Sequence, residues 1–408
     1  GKFDVKACLF LLKCLYGSML LAGALLYSAP MVSIGKHVGL HVEADLEIKS
    51  LSNITMAVDN DKARGDIVFQ FTPGLDFVLF EESPRFKFSL GAKRSFIHFL
   101  EETDFNDEPW DLGFQTGYTG DLFGVGVFWS NKEALQNISS EVPIVTAPTN
   151  ARLENDIVHS SLENLGFQFH VAFSPKTGLR SGITWNDTDY APDKHGIENF
   201  MDLQSMTLPI DLLYEITPKL ESSIGYRFRG TQVDKGPKHK DHYLNISLLG
   251  HVTAKTDLQM VVGYQNRHFK YPVVVPGHKN TTHSLAANIQ LKYMPAEKLH
   301  LNAGLFRDFS VGSKEGASIE ISSANAGLDV FFSRAVVLGT NIQVRHSKYS
   351  TGRKDLGANG GVTLTVQPRR SHWDFHSSYR YDWNEFKAAG TTFDYKNHNF
   401  TLGTSYRY

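Results

Sequence analysis

Beyond residue 35 apolar and polar residues alternate, and no stretch carries the spacing of an amphipathic helix. Leu220, Ser222, Ile224, Tyr226 and Phe228 share one face, while Glu221, Ser223, Gly225, Arg227 and Arg229 share the other. Leu285, Ala287, Ile289, Leu291 and Tyr293 stand against Ser284, Ala286, Asn288, Gln290 and Lys292. Trp373, Phe375, Ser377, Tyr379, Tyr381 and Trp383 stand against Asp374, His376, Ser378, Arg380 and Asp382. Period two with one apolar face describes a long, half-buried strand. Strands of sandwiches and propellers run to about five or six residues, whereas a tilted strand crossing a bilayer needs about nine to eleven. These alternations have the second length. Their apolar faces end in Trp, Tyr or Phe, the residues that favour the headgroup level.

The connections come in two kinds. One set is short and rich in Pro, Lys, Ser and Thr: Glu81–Pro84, Gly120-Asp121, Ser174–Gly178, Thr217–Lys219, Thr253–Thr256, Pro295–Lys298, Ser333-Arg334 and Pro368–Arg370. The other is longer and polar, near 51–65, 101–107, 131–158, 190–199, 232–240, 271–281, 312–316, 350–356 and 385–391. Short turns on one rim and longer loops on the other describe an outer-membrane barrel with periplasmic turns and extracellular loops. The pattern predicts an all-β, transmembrane antiparallel β-barrel of about 18 strands, with 16 as the alternative count and Val38 to Ile48 as the least defined strand. The hairpins repeat at about forty residues, a period that propellers share, so strand length decides between the two.

The first segment differs. Lys2, Lys6 and Lys13 precede an apolar run from Cys14 to Ala29. That layout predicts a secretory signal peptide over 1–33, cut between Ser28 and Ser33, and a barrel over 34–408. The run is short for a spanning helix, which is its other reading. Cys8 and Cys14, the only cysteines, fall inside this segment. A slightly negative mean hydropathy fits a soluble protein equally well, because alternation averages out. The net charge of −2 argues against nucleic acid as a partner.

On the last alternation Asn399, Thr401, Gly403, Ser405 and Arg407 share one face and Phe400, Leu402, Thr404, Tyr406 and Tyr408 the other. Thr401, Gly403, Tyr406 and Tyr408 resemble, position by position, the carboxyl-terminal signal read by the barrel assembly machinery of bacterial outer membranes, although Phe is the commoner last residue there. The stretches DIVFQFTPGLDFVLF, LPIDLLYEITPKLESSIGYRFRGTQVD and KDHYLNISLLGHVTAKTDLQMVVGYQNRHF resemble a family of outer-membrane β-barrel porins found near exopolysaccharide genes. The resemblance covers most of 38–408 and implies a pore or secretion-linked barrel, without naming a solute.

With the apolar faces on lipid, the alternate faces line the lumen. Candidate pore-lining cations are Lys87, Lys93, Arg227, Arg229, Arg267, Lys292, Arg345 and Arg380, with Asp76, Glu221, Asp374 and Asp382 among them. A basic band would favour anionic solutes or acidic polysaccharide. The competing expectation is a lumen in which these charges neutralise one another. Inward aromatics such as Tyr243 and Phe306 fit packing or sugar stacking, and the longest loop, 131–158, fits either an inward constriction or an external loop.

Catalytic signatures are missing. There is no GxSxG, HExxH or phosphate loop, and the seventeen histidines show no ligand spacing. His376-Ser377-Ser378 resembles the His and Ser of outer-membrane lipid hydrolases, but adjacent residues of a strand face opposite ways. No enzyme, cofactor or metal site is expected. The expected partners are outer-membrane lipid, the assembly machinery and a polysaccharide or anionic solute, with the oligomeric state open. A non-conducting structural or adhesive barrel, and a soluble secreted all-β binding protein, remain as other readings. Removal of Tyr408 is expected to impair assembly far more than loss of one exposed side chain, measured as the heat-modifiable fraction on a gel; normal insertion without it would refute the signal.

Overall fold

The computed structural model describes residues 33–34, 38–54, 63–80, 83, 85–137, 157–190, 200–234, 236–270, 280–312, 317–368, 371–388 and 391–407. The expected signal segment, Cys8, Cys14, Tyr408 and the central part of the 131–158 loop lie outside the described residues. Apart from a 3-10 turn at Thr103–Phe105, the described residues form strands and their connections.

The strands are β1 Val38–Leu51, β2 Asp66–Leu79, β3 Phe86–Arg94 continuing as Phe96–Phe99, β4 Trp110–Thr119, β5 Phe123–Asn137 and β6 Ile157–Ser174. Then come β7 Thr177–Tyr190, β8 Leu203–Thr217, β9 Leu220–Val233, β10 Lys238–Thr253, β11 Thr256–Lys270 and β12 Thr281–Ala296. The rest are β13 Leu299–Val311, β14 Ser318–Phe331, β15 Val336–Tyr349, β16 Lys354–Val366, β17 Trp373–Ala388 and β18 Thr391–Arg407. A two-residue piece, Ser33–Ile34, adds to β1. Each strand pairs antiparallel with its neighbours in sequence. β18 returns to β1 from Glu43–Arg407 to Leu51–Asn399, which closes an 18-strand barrel. The expected count and closing pair therefore hold, including the first strand.

Proline explains two local irregularities. Pro73 and Pro209 sit inside β2 and β8 without an amide to donate. The ladder skips Thr72-Pro73 opposite the break at Ser95, where the Thr72 and Ser95 hydroxyls lie 2.9 Å apart. It also skips Leu208-Pro209, where Ser181 Oγ donates to the Pro209 carbonyl at 2.7 Å. The long polar connection is narrower than 131–158, since β5 and β6 stay paired out to Asn137–Ile157.

Burial is inverted relative to a soluble domain. The largest fully buried side chains are Arg267, His239, Gln265, Asn53 and Asp241. Leu285 is 69% exposed, and Leu244 and Ile342 62% each. Along β10 the polar His239, Asp241, Asn245 and Ser247 are buried while Leu244 and Ile246 alternate with them in the open. An exposed apolar face on every side of a closed sheet belongs against hydrocarbon. The rise from Trp373 to Trp383, both on that face of β17, is about 33 Å along the strand and about 25 Å once tilted, the height of a membrane band. Trp373 packs against Tyr406 of β18 with the rings tilted 53° and their centroids 4.9 Å apart, and both mark the short-turn girdle.

Ile289 and Gln290 are neighbours on β12 that face opposite ways. Ile289→Arg is expected to cost about 2–4 kcal/mol in urea unfolding of the refolded barrel, and Gln290→Arg less than about 1 kcal/mol. Equal costs would overturn the assignment of faces.

Candidate functional site

Register fixes the inner face. On β9 to β12 the cross-strand sets Arg229–Asp241–Arg267–Thr282, Arg227–Tyr243–Gln265–Ser284 and Gly225–Asn245–Gly263–Ala286 all point inward. Lys292 lies inward opposite Asp257, Arg345 opposite Ser323, and Arg380 between Gly361 and Asn399. Lys93 reaches inward to Glu43, and Lys87 shares its face. All eight candidate cations thus fall on the lumen side. Thr401 and Gly403 also face inward, and Tyr406 faces lipid. A Cβ at Gly403 would meet the His376 ring, which lies 3.3 Å from Glu47 across the β1–β18 seam.

The cations do not share one environment. Arg267 is fully buried and bidentate to Asp241, at 2.6 and 2.7 Å. Arg229 shares that carboxylate at 2.8 Å and also bonds Asp308. Arg227 reaches Asp308 at 3.1 Å and lies 4.6 Å over the Tyr243 ring. Gln265, its amide turned to satisfy both groups, donates to Asp308 at 2.8 Å and accepts from the Phe309 amide at 3.2 Å. Three guanidinium groups therefore close on two carboxylates. Elsewhere Arg180 pairs with Glu221 at 3.3 Å, Arg353 with buried Asp355 at 2.7 Å, and Arg380 with Asp382 at 3.0 Å. Lys87, Lys292 and Arg345 are exposed and carry no ion pair among the described residues.

Asp308 belongs to β13, four strands along the wall from β9. A flat wall would hold neighbouring strands about 4.8 Å apart and keep Asp308 far from Arg229. The ladder shows how they meet. β12 and β13 pair only up to Ala287–Arg307, although both strands continue. Above that point β13 leaves β12 and swings inward, still laddered to β14, which itself stays paired with β15 out to Ile319–Tyr349. The tip of the β13–β14 hairpin lies across the inner face of β9 to β12. Arg229 donates to the Phe309 carbonyl at 2.7 Å, and Arg267 to the Ser310 carbonyl at 2.6 Å and Ser318 Oγ at 3.0 Å. Arg307 and Glu320, on the hairpin's nominal outer face, pair at 2.6 Å and both meet inward Ser284 of β12. Phe309 is buried under Arg267, with 4.8 Å from guanidinium to ring centroid. The loop end of the lumen is thus narrowed by a piece of its own wall.

No protein-family model matches the chain, and neither does any curated protein. Solved structures of similar shape include the FrpB iron transporter from Neisseria meningitidis (F3-3 variant), at 8% identity and TM-score 0.48 over 92% of this chain and 82% of that one. Acinetobacter baumannii OccAB3 matches at 8% identity and TM-score 0.48 over 91% of this chain and 99% of that one. The outer membrane protein opdK from Pseudomonas aeruginosa matches at 10% identity and TM-score 0.46 over 90% and 99%. Likenesses this distant say nothing of what passes through this chain. Its own closed ladder and apolar belt decide the class. The chain is an outer-membrane β-barrel.

Asp241, Asp308 and Gln265 escaped sequence reading, as did the hairpin. The signal for the hairpin is chemical: Arg307, Ser318, Glu320 and Ser322 occupy positions whose parity is lipid-facing. The same change occurs where a strand tip simply rises above the membrane, as at Lys240, so parity alone does not reveal a fold-in.

Asp241→Ala leaves Arg267 buried without its carboxylate and is expected to cost about 3–5 kcal/mol in urea unfolding. Asp308→Ala is expected to cost less and to speed amide exchange at Phe309 and Ser310 selectively. Uniform exchange in that variant would mean that the hairpin is not held by this carboxylate.

Proposed function

We propose that the chain is a passive outer-membrane pore for polar solutes, narrowed near its loop end by the β13–β14 hairpin. The observation that carries this reading is the exposure of inward-facing charge: Lys87, Lys292, Arg345 and the 54%-exposed Arg380 side chain face solvent inside a closed wall. Barrels of 16–18 strands leave an aqueous channel. Selectivity would come from a modest basic excess. Most lumen charges are cross-paired, but the three guanidiniums at the constriction exceed their two carboxylates, and Lys87, Lys292 and Arg345 add to that excess. Anionic solutes or acidic polysaccharide fit such a wall. A link to exopolysaccharide export rests on the sequence resemblance of the 66–80 and 208–269 stretches alone. Insertion by the barrel assembly machinery, reading Thr401, Gly403, Tyr406 and Tyr408, belongs to the same proposal.

A second reading has its own observation. Asp308 ties the hairpin to both Arg227 and Arg229, so the barrel could be held shut and act as a structural or adhesive body.

Single-channel recording in planar bilayers separates the two. Stepwise openings with a reversal potential displaced toward the anion are expected. Arg345→Glu combined with Lys292→Glu is expected to move the reversal potential toward the cation, and Asp308→Asn to raise conductance. Silence from wild type and from Asp308→Asn alike would refute the pore, and cation selectivity in wild type would refute the anion preference.

A further inference from the structure

The lipid-facing surface is apolar at mid-height, and its charge at the loop end is unevenly placed. Lys348 of β15, Lys354 of β16 and Lys387 of β17 point outward and are register partners in a row. Directly opposed residues have Cβ atoms about 4.5–5.5 Å apart, and like charges at that spacing repel. Nearby carboxylates offset the row only in part. Lys387 pairs with Glu385 at 2.9 Å, and Lys396 of β18 lies 4.0 Å from Asp394. Glu320 stands opposite Lys348 in the β14–β15 ladder but is held by Arg307 and Ser284. Lys354 is exposed and has no ion-pair partner among the described residues.

Depth gives the row its meaning. Toward the membrane, on the same outward face, follow Leu356, Val344, Trp383, Tyr381 and Tyr379. The aromatics mark the upper girdle, so the lysines sit just above it, at headgroup level. A lysine inside hydrocarbon would be costly, while at the boundary its stem lies on apolar surface and its ammonium stays in the polar layer.

We propose that Lys348, Lys354 and Lys387 form a binding site for the phosphate groups of outer-leaflet lipids. Each ammonium offers three donors to phosphate oxygens. A dianion seated on the row relieves the repulsion that remains among the three adjacent lysines, above all at Lys354, which carries no ion pair among the described residues. The apolar strip beneath, from Leu356 and Val344 to Ile342, takes the acyl chains of the same molecule, which is why the ligand is a lipid rather than free phosphate. The site depends on the barrel's place in the membrane and not on conduction.

The test uses the full-length refolded barrel, native mass spectrometry and two probes, bisphosphorylated lipid A and the same lipid with its phosphates removed. Wild type is expected to retain the phosphorylated lipid preferentially, with retention falling as salt rises. The triple variant K348Q/K354Q/K387Q is expected to bind it on the order of a hundredfold more weakly at low salt. Lys176→Gln with Lys219→Gln, at the opposite rim, is expected to leave binding unchanged. Where the triple variant does not refold, Lys354→Gln and the comparison of the two lipids on wild type carry the test. Equal retention of both lipids, an equal loss in the opposite-rim variant, or displacement of the lipid by inorganic phosphate at like concentration would overturn the proposal.

Discussion

In hydrocarbon no water is present to satisfy a backbone amide or carbonyl, and each unmatched group costs several kcal/mol. Closure of β1 on β18 follows from that constraint. The ladder from Glu43–Arg407 to Leu51–Asn399 leaves neither terminal strand with a free edge at membrane depth. Just above it, Ser52 and Asn53 continue the seam with hydrogen bonds to His398 and Asn397 of β18. Once the sheet is closed, period-two alternation needs no further instruction: one face meets lipid and the other meets the lumen.

The same constraint defines where the wall is free to depart from regularity. Backbone that leaves its ladder is tolerated only where protein or water covers it. The β12–β13 ladder ends at Ala287–Arg307, and the tip of the β13–β14 hairpin, its β14 edge still paired with β15, lies on the inner face of β9 to β12. There its carbonyls at Phe309 and Ser310 accept from Arg229 and Arg267. The arginines that looked like a selectivity ring are, in part, the structural partners of a folded-in backbone. Arg267 illustrates the cost structure: burial of a guanidinium and a carboxylate is unfavourable, so it persists only with near-complete hydrogen bonding. Two bonds to Asp241, one to Ser310 and one to Ser318 provide that.

Legibility from sequence follows from range. Faces, strand lengths and the alternation of short and long connections depend on residues within one hairpin, and they are readable from it. Partnerships are not. Nothing in the spacing of Arg229 and Asp308 marks them as neighbours, because their meeting depends on where one ladder stops. Pro73 and Pro209 show the intermediate case. Each predicts a missing donor, but the compensations, by Ser95 and Ser181, come from adjacent strands. Gly403 is similar: the terminal motif reads as an assembly signal, while the space it leaves holds the His376–Glu47 contact across the closing seam.

Strand length links the interior constriction to the exterior lysine row. A strand such as β12, 16 residues long, rises about 53 Å along its axis and about 40 Å once tilted, whereas the apolar band is about 25 Å tall. The wall therefore stands well clear of the membrane. On the inside, that surplus height is where β13 parts from β12 without exposing amides to lipid. On the outside, it carries Lys348, Lys354 and Lys387 above the Trp383 and Tyr381 girdle. A barrel cut to the thickness of the bilayer would have room for neither. The long strands first read as evidence of a membrane span are longer than the span requires, and this chain's departures from a uniform barrel lie in that excess.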